Sequence, residues 1–257
     1  MSMGADVVRG RSETAVLLGM LRRDRSLCQV AKVLTFATLG IIFLYVLAGF
    51  WEDQSVIARA IRHNFNLGLD DMVAENFNHG LAFLAATLLF LSFVEVRSRA
   101  MLFLTALYGF IWFDDSASFH ERAGEKIGKA LDLPMRMGLG PQEQGELLAW
   151  GIGGIFVGLV FLWFWRGRRR GDLGAVIPFL MCFVALVVFG VVVDMLHAVI
   201  SPRYGEAAGV IEDGGEMLAI VASAALALGL SRNAPAYYQA IDTGPIDTGP
   251  IDTGPID

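Results

Sequence analysis

Six long apolar segments constrain the fold of this chain more than any other feature. They run from about Val33 to Trp51, from the Asp70–Asp71 pair to Val96, from Met101 to His120, from Leu147 to Trp165, from Ala175 to Ile200 and from Val210 to Leu230. Each is long enough to cross a hydrocarbon core about 30 Å thick as an α-helix. The sequence therefore predicts an all-α, polytopic membrane protein with about six transmembrane helices in a bundle.

The composition agrees with burial of these segments in lipid. Of the 257 residues, 55% are hydrophobic and only 18% are charged, whereas a soluble domain carries about a quarter charged residues. The net charge is -6, and a nucleic-acid-binding protein would present a basic face instead. We therefore expect the lipid bilayer as a partner and no nucleic acid.

The positive charges predict an orientation. If the N-terminus is cytoplasmic, thirteen of the twenty Lys and Arg residues fall in cytoplasmic segments and seven in outer segments. Cytoplasmic loops of membrane proteins carry such an excess, and the short loops matter most. Both termini are therefore predicted to be cytoplasmic, with the protein in the inner membrane.

Two terminal parts flank the predicted membrane domain at residues 31–231. Residues 1–30 carry an amphipathic patch, Val16, Leu17, Met20 and Leu21, which favours a short helix on the membrane surface; a disordered segment is the alternative. Residues 232–257 are predicted to form an extended low-complexity tail.

The tail contains a repeat of Ile-Asp-Thr-Gly-Pro that begins at Ile241. A Pro and a Gly every five residues leave no pattern that could build a core, so the tail alone should be extended and mobile. The alternative is a docking strand, in which residues 241–257 bind a protein partner or mediate self-association.

Acidic and histidine side chains gather where four predicted helices reach the outer face. Pairs spaced three or four residues apart share one side of a helix, and Asp114 and Glu121, seven apart, are predicted to lie on nearly one face. The predicted metal ligands are Glu75, His79, Asp114, Glu121, Asp194, His197, Glu212 and Glu216, with Asp115, Ser116, His120 and Asp213 as supporting or alternative ligands.

This pattern predicts a cation site. A charged carboxylate at the membrane centre costs about 2.5–3.5 kcal/mol on insertion scales, so the cluster requires bound cations, protons or a water-filled cavity. Carboxylate oxygens and imidazole nitrogens without a thiolate suit iron, manganese or zinc. We therefore predict one or two divalent metal ions, which in an enzyme would activate water or oxygen on a lipid-like substrate.

The same residues also fit two other functions. In a proton- or cation-coupled transporter, the acids would titrate and exchange partners during alternating access. In a structural or assembly subunit of a larger membrane complex, the repeated tail would be the docking element and the polar cluster a satisfied network.

Overall fold

The computed structural model describes residues 3–49, 56–67, 72–136, 138–199 and 202–243. Every regular element in these ranges is helical. The elements are α1 (Met3–Arg23), α2 (Arg25–Gly49), α3 (Val56–Asn64), α4 (Val73–Val96), α5 (Arg99–Ser116), α6 (Phe119–Ala130), α7 (Pro141–Arg166), α8 (Asp172–Val187), α9 (Asp194–Val199) and α10 (Pro202–Thr243). A π-helical segment, Val188–Val193, joins α8 to α9.

Five helical stretches in the described ranges are long and apolar enough to cross a membrane. They are α2, α4, α7, Asp172–His197 and Ala207–Thr243. The third predicted span falls on α5, which has 18 residues and carries Arg99, Asp114 and Asp115, and it is not among the five. The all-helical prediction is confirmed, while a sixth crossing stays a prediction.

The third predicted span ends too late. Helix α5 stops at Ser116, and Ser118 has a left-handed backbone with φ 43° before α6 begins at Phe119. The prediction of one continuous helix from Met101 to His120 is therefore wrong, because the chain turns just before His120.

Helix α10 lies at the centre of the bundle. In its most apolar 18-residue window 56% of residues are buried, against 6% in α2 and 6% in α7. It packs against α1, α2, α4 and α8, and Tyr108, Phe179 and Leu230 are among the fully buried side chains of the core. The peripheral helices instead expose large apolar side chains, such as Phe36 on α2 and Ile155 on α7.

The predicted extended tail begins too early. Helix α10 continues to Thr243, so residues 232–243 are helical, because Tyr237, Tyr238 and Ile241 are buried in the core. Residues 244–257, which hold most of the repeats, lie outside the described residues. The docking strand therefore stays a prediction.

The N-terminal amphipathic patch is also more deeply packed than predicted. Leu17 and Leu21 on α1 are buried in the core, and Thr14 Oγ1 donates a hydrogen bond to the Gly174 carbonyl at 3.2 Å. The patch therefore packs against α8 and α10, while contact of α1 with a membrane surface stays a prediction.

The arginine-rich helix ends meet at one end of the bundle around Asp172. This carboxylate is 0% exposed and accepts hydrogen bonds from Ser98 Oγ at 2.6 Å, the Tyr238 hydroxyl at 2.8 Å and the Arg169 backbone N–H at 2.8 Å. The Arg169 Nε lies 3.9 Å from Asp172 Oδ1. We call Ser98, Arg169, Asp172 and Tyr238 the Asp172 network; it ties α5, α8 and α10 together at the end opposite the acidic cluster.

Candidate functional site

A cavity of about 370 Å³ opens at the other end of the bundle. Its polar lining consists of Glu75, Asn78, Asp114, Asp115, His120, Glu121, Gln142, Glu146, Asp194, Glu212, Asp213 and Glu216. Its apolar lining includes Leu67, Ala74, Ile111, Trp150, Phe183, Leu186, Val187, Met217 and Ile220. Nine carboxylates therefore surround one space, and no Lys or Arg is among the described residues that line it.

The structure gathers most of the predicted site residues. Nine of the twelve line the cavity, whereas His79, His197 and Ser116 do not. His79 Nε2 lies 3.1 Å from Asp115 Oδ2, and His197 Nδ1 lies 2.8 Å from Glu212 Oε2, so both histidines contact carboxylates of the lining. Ser116 is exposed at the end of α5.

The turn after α5 brings His120 into the cavity. Asp114 and Glu121 do not share a helical face as predicted, because Asp114 lies on α5 and Glu121 on α6. The reversal of the chain lets His120 Nδ1 hydrogen-bond to Asp114 Oδ2 at 3.0 Å. The two carboxylates therefore reach one cavity through tertiary structure instead of helical spacing.

The electrostatic environment of His120 favours its charged form. Burial lowers the pKa of the imidazole, but the hydrogen bond to Asp114 and the negative charges of Asp114, Glu121 and Glu146 outweigh burial. The pKa of His120 is therefore raised above its ordinary value of 6.5. Its ring lies against Trp150, with centroids 5.1 Å apart.

Close contact between α6 and α7 supplies cavity residues that the sequence analysis missed. A Cβ atom on Gly145 would lie 2.0 Å from the Gly124 carbonyl oxygen, and one on Gly128 would lie 2.3 Å from the Pro141 carbonyl oxygen. Only glycine allows the two backbones to approach this closely. The contact places Glu146 and its neighbours in the cavity wall.

The residues contributed by α7 are Gln142, Glu146 and Trp150. Gln142 Nε2 donates a hydrogen bond to Glu146 Oε1 at 2.9 Å. The Gly124-x3-Gly128 spacing on α6 is a signal that could have indicated this packing, since small residues four apart let helices approach closely.

The π-helical segment shapes the wall opposite α4. A Cβ on Gly190 would lie 2.0 Å from Glu216 Oε1, and a Cβ on Gly215 would lie 2.4 Å from the Phe189 ring. The absence of a side chain at Gly215 therefore leaves room for the Phe189 ring. The carboxylate of Glu216 rests directly against the backbone of the π turn, a type of irregularity that is frequent at functional sites.

Asn78 has the least satisfied polar group of the cavity wall. The residue is 9% exposed, and its Oδ1 is buried and accepts no hydrogen bond from the described residues. A buried unpaired acceptor costs about 1–3 kcal/mol, and native proteins leave few of them. Asn78 Oδ1 is therefore one of the few buried side-chain acceptors left unpaired by the described residues.

Most of the predicted ligands line the cavity, but they do not converge on one point. In the described parts of the chain, no group of three or more His, Cys, Asp or Glu side chains is arranged to hold a metal ion.

Comparison with known proteins yields a family and nothing closer. No curated protein and no solved structure matches the chain. The model of a family described as Domain of unknown function (DUF8692) matches residues 76–230, which include every polar cavity residue except Glu75. Because this match covers more than half of the sequence, the chain belongs to the DUF8692 family.

Proposed function

We propose that this protein is a multi-pass membrane protein that binds one or two divalent metal ions in its acidic cavity. The observation that carries the proposal is the gathering of nine carboxylates around one space whose described lining contains no Lys or Arg. Like charges this close repel strongly in a partly buried environment, and bound cations would offset that repulsion.

The proposed membrane location is supported by the outer surface of the bundle. Phe36 and Val33 on α2 are 71% and 67% exposed, and Ile155 on α7 is 66% exposed. In water such surfaces would remain in contact with solvent, whereas lipid covers them. Five helices of sufficient length and apolarity agree with this environment.

The charge difference between the two ends of the bundle supports the proposed orientation. Arg97, Arg99 and Arg166 lie at helix ends on the side of the Asp172 network. The excess of positive charge on cytoplasmic segments supports a cytoplasmic location for that end in the inner membrane. The cavity would then open towards the outer face.

Metal analysis tests the proposal. The detergent-purified full chain should retain about one or two equivalents of a divalent metal, and the double variant Asp194→Asn, Glu216→Gln should lose it. Glu125→Gln is the matched control, because Glu125 is an exposed acid on α6 that pairs with Lys129 outside the cavity. Absence of stoichiometric metal from the wild type, even after each ion has been added back, would overturn the proposal.

A second candidate function is a proton- or cation-coupled carrier. The observation that favours it is the π segment Val188–Val193, which interrupts an apolar span beside the cavity, since π irregularities are frequent at functional sites. Uptake into proteoliposomes would support a carrier only if the same double variant abolishes it. Uptake that survives in the variant would remove this candidate.

A further inference from the structure

We propose that the arginine-rich end of the bundle binds the phosphate of an anionic phospholipid at two neighbouring helix junctions. The junctions are residues 95–99, between α4 and α5, and residues 166–172, between α7 and α8; we call them the basic turns. The inference goes beyond the proposed function, because this end lies opposite the cavity and requires no metal ion. It shares with that function only the membrane location.

The charge of the basic turns is the first observation. They contain six arginines and two acids, which are Arg97, Arg99, Arg166, Arg168, Arg169, Arg170, Glu95 and Asp172. Asp172 is 0% exposed and is held within its own network, so it presents no charge at the surface. The whole chain carries a net charge of -6. The basic turns are therefore a positive patch on an acidic protein, and such a patch attracts anions.

Tertiary contacts bring the two basic turns together. Arg169 Nη2 donates a hydrogen bond to the Val96 carbonyl at 2.9 Å. The Arg99 guanidinium lies against the backbone of Gly167, since a Cβ atom on this glycine would overlap it. Gly167 directly follows Arg166 at the end of α7. Arginines from both turns therefore occupy one part of the surface.

Four of these arginines have guanidinium groups that the described residues leave available. The arginines that form no ion pair and donate no side-chain hydrogen bond within the described parts of the chain are Arg97, Arg99, Arg166 and Arg170. All four are exposed. A guanidinium carries five N–H donors in a planar fork that matches a phosphate group. The basic turns therefore offer several phosphate-binding groups at once.

Aromatic rings hold two of these guanidinium groups in place. Arg99 Cζ lies 5.0 Å from the centroid of the Trp163 ring, and Arg97 Cζ lies 5.7 Å from the centroid of the Phe93 ring. An aromatic ring attracts the face of a guanidinium and leaves its N–H edges free to donate hydrogen bonds. Tryptophan is enriched where lipid headgroups meet water. Trp163 therefore supports a position of Arg99 at the depth of the lipid phosphates.

Exposed apolar side chains next to the basic turns distinguish a lipid from a soluble anion. Leu159 and Leu162 on α7 are 62% and 47% exposed, and Leu91 on α4 is 54% exposed. They lie within two helical turns of Arg166 and Arg97 respectively. An acyl chain covers such a surface while the phosphate of the same molecule contacts the arginines. A soluble anion would leave the apolar part of this surface uncovered.

Native mass spectrometry of the detergent-purified full chain tests the inference. Phosphatidylglycerol and phosphatidylcholine with the same acyl chains are added separately, and the apparent Kd of each is measured. Phosphatidylglycerol should bind about tenfold more tightly or better. The double variant Arg99→Gln, Arg166→Gln should weaken its binding by roughly twentyfold, since each arginine near a headgroup contributes about fivefold. The affinity for phosphatidylcholine should not change.

Two further double variants serve as controls for charge and for folding. Arg122→Gln, Lys126→Gln removes two exposed charges from α6 at the cavity end, and its phosphatidylglycerol affinity should stay within about twofold of the wild type. Arg99→Lys, Arg166→Lys keeps the charge and loses the planar fork, so it should bind several-fold more weakly than the wild type. This variant carries the test if the glutamine variant does not fold.

Three results would overturn the inference. They are equal affinities of the wild type for the two lipids, an unchanged phosphatidylglycerol affinity in the arginine variants, and displacement of the lipid by excess inorganic phosphate or poly-glutamate. The last result would assign the basic turns to a soluble anion or an acidic protein segment. The arginine variants should keep the metal content of the wild type. A wild type without metal that prefers phosphatidylglycerol would remove the proposed function and leave this inference intact.

Discussion

The two ends of the bundle treat buried carboxylates in opposite ways. In the Asp172 network one carboxylate receives hydrogen bonds from a serine, a tyrosine and a backbone N–H, with a guanidinium 3.9 Å away. At the cavity, nine carboxylates share a wall whose described residues include no Lys or Arg. Hydrogen bonds and a guanidinium compensate the first charge, whereas the described partners of the second set are histidines, with His120 against Asp114, His79 against Asp115 and His197 against Glu212. We infer that the Asp172 network serves stability and the acidic cavity serves binding.

The largest expected effect is the loss of the Asp172 network. Asp172→Asn should lower the free energy of unfolding by about 3 kcal/mol. The buried donors lose their charged acceptor, and the new NH2 group faces a donor instead of an acceptor. Thermal unfolding in detergent measures this. The comparison fails if Asp172→Asn is as stable as the wild type.

Cation binding should stabilise the cavity end by a similar amount. At a free Mn²⁺ concentration 100-fold above its Kd, the folded state gains about 2.7 kcal/mol. The unfolding temperature of the wild type should therefore rise with Mn²⁺, and that of Asp194→Asn, Glu216→Gln should not. An equal rise in both proteins would show that the ion binds elsewhere.

The same chemical change should have the opposite sign at the two ends. In the presence of a chelator, Asp194→Asn should raise the free energy of unfolding by about 1 kcal/mol, the size typical of an improved charge distribution, since it removes one of several repelling carboxylates. A destabilised Asp194→Asn variant in chelator would contradict the view that the cavity carboxylates are uncompensated.

The contributions of His120 and Asp24 to the free energy of unfolding should change with pH in opposite directions. These are the smallest of the expected effects. Because the pKa of His120 is raised above 6.5, its contribution to stability is fully present below pH 6.5 and is lost as the pH rises through the folded-state pKa. The free energy of unfolding of the wild type and of His120→Gln is measured between pH 6 and pH 9 in the presence of a chelator. The difference in free energy between the two proteins should shrink as the pH rises. A difference that is constant or grows would contradict it.

Asp24, which pairs with Arg232 on α10, supplies the contrasting case. Hydrogen bonds from the Leu27 backbone and Ser26, with Arg232 nearby, hold the pKa of Asp24 below 3.8. Its contribution is therefore present above pH 3.8 and is lost as the pH falls through the folded-state pKa. Asp24→Ala should differ from the wild type at pH 6 and approach it in strong acid, again by thermal unfolding.

Most of the helices and much of the cavity could be predicted from local patterns. Long apolar runs require helices when the backbone must satisfy its own hydrogen bonds in lipid. Because successive spans cross the membrane in alternating directions, acids such as Glu75, Asp194 and Glu216 are predicted to lie at the same depth in the membrane. These inferences succeed because they depend on segment length and chain direction, which the linear sequence carries.

Other features depend on contacts between residues far apart in the chain. The buried side chains of Tyr237 and Tyr238 keep α10 helical beyond the predicted end of the last span. The reversal at Ser118 turns His120 back onto Asp114, and no helical period predicts such a turn.

The sequence by itself determined that the chain is helical, apolar and acidic at one level of the bundle, because composition and segment length are local properties. Tertiary structure alone decided which carboxylates line the cavity, which histidines they bond and which oxygen is left unpaired. Glu146 enters only because Gly124 and Gly145 let α6 and α7 touch, and Asn78 Oδ1 lacks a partner only because no described neighbour offers a donor. Both facts arise from side-chain packing between helices, which cannot be read from one helix at a time.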